Sequence, residues 1–511
     1  MGYDELKTSY GHFRHVERLL TTAESRLVDE LYPHHTGIQL IQLMELAGAA
    51  VARETMKQLS SGDRVTILCG GGQNGGDGWV AARVLWASGM DVAVCDTAKD
   101  KVLPDEASLN REAAKKLLIP EITVDTFLKL GEGDVHVVID ALFGSGLTRE
   151  RPLSDLMTKI ILHLNHLRST GTFVLSVDLP SGVDATTGAV SNAAVNADLA
   201  VTFVRTKAGQ MSHPGVLQQT SVAVERLGVP ASFLAAKLPI NGIFRLTAEA
   251  VGHLLPPLAK DRHKGMGGKA GLIGGSKSMP GAAVLAARAM AMSGAGYVTI
   301  VADDSVRPLL VSSLPEALYA EADDSFFDRM DVVAYGPGLG IEPPLCIEQV
   351  LNKARHLVID ADGLRLLSAL DSWQDRLKQR PTPAVLTPHV GEFRLLHDYD
   401  PDDRIGSARQ LAEKTGSIVV LKGMSSVIAA PDGTALLSTV GNPGLAKGGS
   451  GDVLTGLITG LMATGLTALE AAAAGVYCHG KAADLATARR GERAMLPQDV
   501  IETLPEVLRA M

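Results

Sequence analysis

Short apolar runs rich in valine and isoleucine alternate with longer helix-compatible segments along almost all of the 511 residues. This alternation is typical of parallel β-sheets covered by helices. In the first half, the predicted strands are residues 65–69, 91–95, 135–140, 173–178 and 199–204. In the second half, they are residues 270–274, 297–301, 332–335, 357–360, 384–386 and 418–421, followed by a hairpin over residues 427–437. The pattern therefore predicts an α/β fold.

The length of the chain predicts two domains, because single hydrophobic cores stop growing near roughly 250 to 300 residues. The alternating pattern is interrupted over residues 228–239, which contain glycine and proline. We therefore place the boundary at Leu238, giving one domain over residues 1–238 and a second over residues 239–511.

Charge and cysteine content exclude several classes of function. A net charge of −9 argues against a surface for nucleic acids or anionic membranes and favours a small polar metabolite as the partner. The four cysteines form no Cys-x-x-Cys pair, so neither a disulfide framework nor a zinc site is predicted. The sequence also lacks a signal peptide and an apolar run of about 18 residues, so we expect a cytoplasmic protein.

A glycine-rich segment, Gly70 to Gly78, follows the first predicted strand and leads into a helix expected to begin at about Trp79. Glycines let the backbone approach a phosphate, and the helix N-terminus offers unpaired N–H groups to that anion. The segment matches neither a Walker loop nor the Gly-x-Gly-x-x-Gly dinucleotide motif. A tight turn is the alternative, but a turn needs only one or two glycines, so the run favours ligand binding.

Two aspartates end later strands of the same half. Asp140 precedes Gly144-Ser145-Gly146, and Asp178 precedes Leu179-Pro180-Ser181. Ligands of open α/β sheets bind beyond the carboxyl ends of the strands, so Asn74, Asp140 and Ser181 are expected to converge there as oxygen ligands for a hard cation. Asp178 is the candidate for proton transfer, while Asp140 alone could equally be a cap or turn residue.

These segments, with Leu43 to Gly48, closely resemble the YjeF N-terminal domain, the NAD(P)H-hydrate epimerase family. The resemblance covers nearly the whole first half and implies a Rossmann-like three-layer fold that interconverts the two epimers of hydrated NADH or NADPH. It implies a catalytic role for Asp178 and potassium ligands at Asn74, Asp140 and Ser181. Gln73 stands where the family usually has Asn. The implied hydrate-binding residues are Gln73, Asn74, Gly75, Gly76, Asp77, Gly144, Ser145, Gly146, Leu147, Thr148, Arg149, Glu150 and Asp178.

A second glycine-rich loop, Gly448 to Gly456, enters an apolar helix with Asp452 near its start. Such a helix end can neutralise a transferring phosphoryl group, and the aspartate can accept the proton of the attacking hydroxyl. The alternative is a carboxylate that only favours the helix dipole. Upstream, Lys422 to Ser426 places a cation and small residues at another strand end, which suits a nucleotide phosphate or base.

Three further strand ends in this half carry glycine or polar residues: residues 336–340, 360–363 and 387–392. The His389 side chain could be a cap or packing residue as readily as a ligand contact.

From about Arg245 to its end, the chain resembles the ribokinase-like family and, within it, the NAD(P)H-hydrate dehydratases. The resemblance implies that ADP or ATP, with Mg²⁺, phosphorylates the hydrate and that phosphate then leaves. It places hydrate contacts at Ala282, Gly338, His389 and Asp452, with Asp452 catalytic. It places the nucleotide at Lys422, Gly423, Met424, Ser425, Ser426 and Gly451.

The combined hypothesis is a bifunctional repair enzyme, in which the first half supplies the epimer that the second half dehydrates. The resemblance also implies a homo-oligomer. The alternative is a small-molecule kinase for a vitamin alcohol in the second half, with a nucleotide-binding module in the first.

Overall fold

The structure, a computed structural model, describes residues 4–60, 62–150, 152–255, 257, 260–261, 263–340 and 342–511. Among these residues, no helix is both long enough and apolar enough to cross a membrane. The chain forms two compact units: one comprises Arg18–Leu238, and the other comprises Met1–Glu17 with Pro239–Met511.

The strands are numbered in chain order. They are β1 (Asp4–Thr8), β2 (Gly11–Leu19), β3 (Arg64–Cys69), β4 (Asp91–Asp96), β5 (Glu121–Ile122), β6 (Val137–Ala141), β7 (Phe173–Val177), β8 (Ala197–Phe203), β9 (Gln219–Glu225), β10 (Ile243–Arg245), β11 (Lys269–Ile273), β12 (Tyr297–Val301), β13 (Leu318–Tyr319), β14 (Val332–Tyr335), β15 (His356–Ile359), β16 (Val385–Leu386), β17 (Ile418–Leu421), β18 (Ser426–Ala429) and β19 (Ala435–Ser438).

The helices are numbered in the same way. They are α1 (Thr22–Thr36), α2 (Leu40–Met56), α3 (Gln73–Ala87), α4 (Asp105–Lys116), α5 (Val124–Phe127), α6 (Asp155–Ser169), α7 (Ala208–Met211), α8 (Ala231–Lys237), α9 (Ala248–Leu254), α10 (Pro280–Met292), α11 (Arg307–Ser313), α12 (Ser325–Arg329), α13 (Ile347–Lys353), α14 (Asp362–Ser368), α15 (Trp373–Lys378), α16 (Val390–Leu396), α17 (Arg404–Thr415), α18 (Ser450–Ala463), α19 (Ala468–Arg490) and α20 (Pro497–Ala510).

The unit Arg18–Leu238 is built on a seven-stranded parallel sheet in the order β5-β4-β3-β6-β7-β8-β9. Successive side chains of a strand point to opposite faces. Accordingly, Ile67 of β3 packs in one buried cluster with residues of α2 and α3, whereas its neighbour Leu68 packs in another with residues of α6. Helices therefore cover both faces, and the carboxyl ends of β3, β6, β7 and β8 lie side by side.

The other unit contains a twelve-stranded sheet in the order β1-β2-β10-β19-β18-β17-β16-β15-β14-β11-β12-β13. Each strand pairs in parallel with the next in the series β17, β16, β15, β14, β11, β12 and β13. On the other side of β17, strand β18 pairs antiparallel with both β17 and β19. Helices α10, α18 and α19 contribute buried alanine, leucine and isoleucine side chains to its main core. Small alanines allow these helices to lie close to the sheet.

The predicted α/β class is confirmed, and each predicted strand and the hairpin has a counterpart. Strands β1, β2, β5, β9, β10 and β13 were not predicted. Two of these, β5 and β13, have only two residues, and β9 has no fully buried residue, so these three lack the continuous apolar pattern of a central strand.

Residues 4–17 form most of an antiparallel hairpin, β1 with β2, that belongs to the unit of residues 239–511. Phe13 and Val16 of β2 are buried in the same core as Phe244 of β10. The sequence-based division placed these residues with the first half. Chain order gave no signal for this placement, because the contacts join segments more than 200 residues apart.

Beside this hairpin, His15 lies 3.0 Å from Glu249 and stacks on His253, with ring centroids 4.6 Å apart and planes at 15°. Within the described part of the chain, these three side chains are the only group of histidine, cysteine or acidic residues close enough to share a metal ion. Nearly parallel stacked rings direct their lone pairs side by side and not toward one point. We therefore interpret the group as a ring stack with an ion pair.

Candidate active sites

In the first unit, only the first three residues of the glycine-rich segment Gly70 to Gly78 form a loop, and the rest belongs to a helix. Helix α3 begins at Gln73, with Gly72 as its N-cap, and not at about Trp79. The predicted start was wrong because three glycines lie inside the helix, where they permit close packing. A Cβ atom at Gly75 would lie 2.0 Å from the carbonyl oxygen of Gly70, and one at Gly78 would lie 2.6 Å from the Cβ of Ala141.

The loop and the N-terminus of α3 open on a cavity of about 750 Å³. Its lining includes residues 70–72 from this loop and 73–74 from the start of α3, residues 142–147 after β6, and residues 203–204 at the end of β8. Two carboxylates described below, Asp77 and Asp178, also line it. The cavity therefore lies at the carboxyl ends of parallel strands, next to unpaired helix N–H groups, where an anionic metabolite is expected to bind.

Asp178 follows β7 and reaches the cavity from a strained backbone, with φ of 67°. Its Oδ2 accepts a hydrogen bond from the amide of Ser145 at 3.2 Å. Its Oδ1 lies 2.5 Å from the Lys207 ammonium and 3.2 Å from the Thr202 hydroxyl. A left-handed backbone at a residue other than glycine costs free energy and is concentrated at functional sites, so this strain supports the prediction that Asp178 is catalytic.

Sequence reasoning missed Lys207. It follows β8, the fifth strand predicted in the first half, and its side chain is only 3% exposed. The sequence did contain a signal for it. Lys207 lies just beyond the end of β8, and β8 pairs with β7, the strand that Asp178 follows.

Two more carboxylates face the same cavity. Burial raises the pKa of Asp77 well above its usual range, and the nearby charges of Asp178 and Asp29 add to this effect. Asp29 lines the cavity. The surrounding protein partly removes its carboxyl group from water, and this burial raises its pKa to about 6. Repulsion from Asp178 adds to that rise, and attraction to Lys207 opposes it. The cavity thus holds two carboxyl groups, Asp77 and Asp29, whose pKa values burial raises.

Asp140 and Ser181 meet at the ends of β6 and β7. The Asp140 Oδ1 accepts a hydrogen bond from the Ser181 hydroxyl at 2.6 Å, and its Oδ2 accepts bonds from the Ser181 amide and the Ser176 hydroxyl, each at 2.9 Å. Burial raises the pKa of Asp140, although the bonds from Ser181 oppose this. Asn74 is buried at the start of α3 and packs against Gly144.

The remaining predicted hydrate contacts divide into three groups. Gln73, Asn74, Asp77 and residues 144–147 line the cavity, whereas Gly75 and Gly76 are buried in α3 behind it. The other three, Thr148, Arg149 and Glu150, are not among its lining residues. The Arg149 amide donates a hydrogen bond to Asp184 at 3.1 Å, and its guanidinium lies 3.7 Å from Glu150.

In the second unit, Asp452 lies in the first turn of α18, whose N-cap is Gly449 in a left-handed conformation with φ of 98°. Burial raises the pKa of Asp452 to about 7. The neighbouring charges of Asp360, Glu392 and Asp362 contribute to the rise, while Lys422 opposes it. A carboxyl group that titrates near neutrality is well suited to accept a proton from a hydroxyl.

Asp360 and Lys422 form a buried pair beside Asp452. The Lys422 ammonium lies 2.8 Å from Asp360 Oδ1, and the Thr455 hydroxyl donates to Asp360 Oδ2 at 2.7 Å. Burial disfavours the charge on Lys422, but Asp360, Glu392 and Asp452 together raise its pKa. Residues 360–363 were recognised as a polar strand end, but neither the role of Asp360 in holding Lys422 nor that of Thr455 was predicted.

The other predicted nucleotide residues lie around this pair. Gly451 is so close to Lys422 that a Cβ atom there would lie 3.2 Å from the ammonium. Residues 422–426 form the tight connection between β17 and β18, with φ of 150° at Gly423 and 53° at Ser425. The Met424 side chain is exposed, and Ser425 is buried.

His389 is the N-cap of α16. Its Nδ1 accepts a hydrogen bond from the Glu392 amide at 3.1 Å, and Glu392 accepts one from the His389 amide at 2.9 Å. The capping interpretation is therefore correct, while the exposed ring leaves the predicted hydrate contact as a prediction. Gly338 and Ala282 are brought together, since a Cβ atom at Gly338 would lie 2.7 Å from that of Ala282.

Both halves of the chain match known families. The family described as "YjeF-related protein N-terminus" matches residues 40–209, and the family described as "NAD(P)H-hydrate dehydratase" matches residues 270–506.

Matches to individual proteins extend over nearly the full length. A relative from Thermofilum pendens is 35% identical and covers 97% of this chain and 97% of its own; one from Escherichia coli is 34% identical and covers 92% and 90%. Both are named "Bifunctional NAD(P)H-hydrate repair enzyme Nnr". A solved Bacillus subtilis ADP/ATP-dependent NAD(P)H-hydrate dehydratase, co-crystallised with ATP/Mg²⁺, is 33% identical, covers 52% of this chain and 96% of its own, and has a TM-score of 0.47. The full-length relatives, which share at least a third of their residues with this chain, place it in the family of bifunctional NAD(P)H-hydrate repair enzymes.

Proposed function

We propose that the chain repairs hydrated NADH and NADPH in two steps. The first unit interconverts the R and S hydrates, and the second dehydrates the S hydrate to NAD(P)H at the expense of ADP or ATP. The observation that carries this proposal is one carboxylate in each unit that is placed for proton transfer. Asp178 pairs with Lys207 at the cavity that the start of α3 also lines, and Asp452 lies in the first turn of α18 near Lys422. The vitamin-kinase alternative is not favoured, because the curated relatives that match both units are named for NAD(P)H-hydrate repair.

In the first unit, epimerisation requires proton transfer at the hydroxyl-bearing carbon or at its hydroxyl. Asp178 is placed to accept a proton, because both its oxygens are held at the edge of the cavity by Ser145 and Lys207. Asp77, which lines the same cavity and whose pKa burial raises, is the candidate donor. The predicted contacts Gly144 and Gly146 leave space for the substrate close to the backbone.

In the second unit, the hydroxyl of the S hydrate attacks the terminal phosphoryl group of the nucleotide, which displaces AMP from ADP or ADP from ATP, and Asp452 accepts the hydroxyl proton. The phosphorylated intermediate then loses phosphate, together with a proton from the neighbouring carbon, which forms the C=C bond of NAD(P)H. The N-terminus of α18 and Lys422 are placed to bind the nucleotide phosphates. The buried Ser450 hydroxyl, which has no hydrogen-bond partner among the described residues, is a further donor for them.

Mg²⁺ fits this second site, since Glu392, whose carboxylate lies 3.8 Å from the Lys422 ammonium, can add a protein oxygen to those of the nucleotide phosphates. When bound, it would neutralise charge on the phosphates. Glu392 would hold it together with phosphate oxygens.

To test the two roles, a mixture of both epimers is incubated with ADP or ATP and Mg²⁺, and NADH absorbance is followed. We expect the native chain to restore all the NADH. Asp178→Asn should restore the S fraction quickly and the rest only at the spontaneous rate of epimerisation, while Asp452→Asn should lower the rate of dehydration by about a thousandfold or more. Nucleotide consumption by the native chain without NADH recovery would refute the proposal.

The pH dependence of dehydration tests the role of Asp452. Asp452 must be ionised to accept a proton, so kcat/KM should rise about tenfold per pH unit and level off above about pH 7. Asp360→Asn removes a neighbouring negative charge and should move this limb to lower pH. Thr455→Val, which removes a hydrogen bond from Asp360 but no charge, is the matched control and should move it little.

Potassium in the first unit is a further part of the proposal. The oxygens of Asp140 and Ser181 fit such an ion, and so does the Asn74 amide, whose nitrogen is buried without a hydrogen-bond partner. An amide turned to offer its oxygen would complete an oxygen donor set for a hard cation. When bound, K⁺ would fix the loop after β6 beside Asp178.

We expect epimerisation to slow at least severalfold when K⁺ is replaced by tetramethylammonium and to recover when K⁺ is restored. Ser181→Ala should raise the K⁺ concentration that is required. If the epimerisation rate of the native chain does not depend on K⁺, the proposed potassium site is wrong.

A cytoplasmic location and a homo-oligomeric state remain predictions. Sedimentation velocity on the purified full-length chain measures the oligomeric state directly.

A further inference from the structure

We propose that Lys207 is a positioning residue of the epimerase site, which fixes the Asp178 carboxylate against the cavity and supplies its counter-charge. The inference rests on the proposed function of the first unit. It adds a residue that the sequence motifs did not identify.

The hydrogen bonds of Lys207 show that it acts through another residue. Its ammonium donates to Asp178 Oδ1 at 2.5 Å, to the Phe203 carbonyl at 2.9 Å and to the Thr202 hydroxyl at 3.0 Å. An ammonium group has three N–H donors, and here all three have an acceptor. Lys207 is therefore held in one direction, and its charge reaches the substrate through the carboxylate.

The backbone on both sides of this pair is also held in place. The Asp178 amide donates to the Val201 carbonyl at 2.8 Å, and its carbonyl accepts a hydrogen bond from the Gln210 side chain at 3.1 Å. The Lys207 amide donates to the same Gln210 side chain at 2.9 Å. One glutamine thus ties the segment that carries the lysine to the strained turn that carries the aspartate.

The charges in the cavity give this pair a role in proton transfer. Asp29 and Asp77 face the same cavity as Asp178, and Lys207 lowers the pKa of both. The other cavity-lining cations, Arg26 and Lys101, are exposed, whereas Lys207 is buried. Lys207 is thus placed to balance the negative charge of Asp178 beside two carboxyl groups whose pKa values burial raises.

The test compares Lys207→Met with the native chain in an epimerase assay, in which the R hydrate is supplied and excess Asp178→Asn chain converts the S product to NADH. We expect kcat/KM at pH 7 to fall at least tenfold. The pH of half-maximal rate on the acidic side should rise by about one unit or more, because a carboxylate that loses an adjacent cation holds its proton more tightly. Thr202→Val, which removes a neutral hydrogen bond from the same carboxylate, is the matched control and should shift this pH little.

The outcomes separate this inference from the proposed function. If Asp178→Asn retains epimerase activity, the proposed role of Asp178 fails. If Asp178→Asn is inactive but Lys207→Met keeps the native pH profile, whether at full or reduced rate, Lys207 is merely structural and only this inference fails.

If Lys207→Met does not fold, as judged by circular dichroism, the comparison moves to Lys207→Arg and Lys207→Gln, which differ in charge. We expect the acidic limb of the arginine variant to lie close to that of the native chain and the limb of the glutamine variant to lie at higher pH. Identical limbs for these two variants would overturn the inference.

Discussion

Both sites depend on one physical constraint, the cost of removing a carboxylate from water at the end of a buried strand. Asp178 and Asp360 each follow a parallel strand, and each is paired with one lysine that follows another strand of the same sheet, Lys207 and Lys422. An isolated buried charge would be strongly destabilising, whereas a paired and hydrogen-bonded one is tolerated. The topology of each sheet brings the two members of a pair together from segments 29 and 62 residues apart.

The constraint also separates the protonation states within each site. In each site, one carboxylate forms an ion pair with the lysine. The other carboxyl groups nearby are farther from that positive charge. Burial, with repulsion from neighbouring carboxylates, raises the pKa of Asp77 and Asp29 in the first unit and of Asp452 in the second. Acid and base can then coexist within one cavity, which both proposed reactions require.

Much of the fold was predictable, because central parallel strands are continuous apolar runs and their ends carry the glycines and aspartates of the sites. Two errors have a common cause. The start of α3 was placed six residues late, and the hairpin of residues 4–17 was assigned to the first half, because both depend on contacts between distant segments. Gly75 and Gly78 stand inside this helix because Gly70 and Ala141 leave no room for side chains there. Lys207 and Thr455 were missed for the same reason, because their roles come from contacts with residues distant in sequence, Asp178 and Asp360.

Two separate carboxylate sites on one chain carry out successive steps, and each site works without the other. The hydrate can therefore pass through solution from a site on one chain to a site on another. Mixing equal amounts of Asp178→Asn and Asp452→Asn chains with both epimers, nucleotide and Mg²⁺ tests this claim most directly. The account predicts that the mixture restores all the NADH, because each variant retains the site that the other lacks. Recovery that is no faster and no more complete than with Asp178→Asn alone would contradict it.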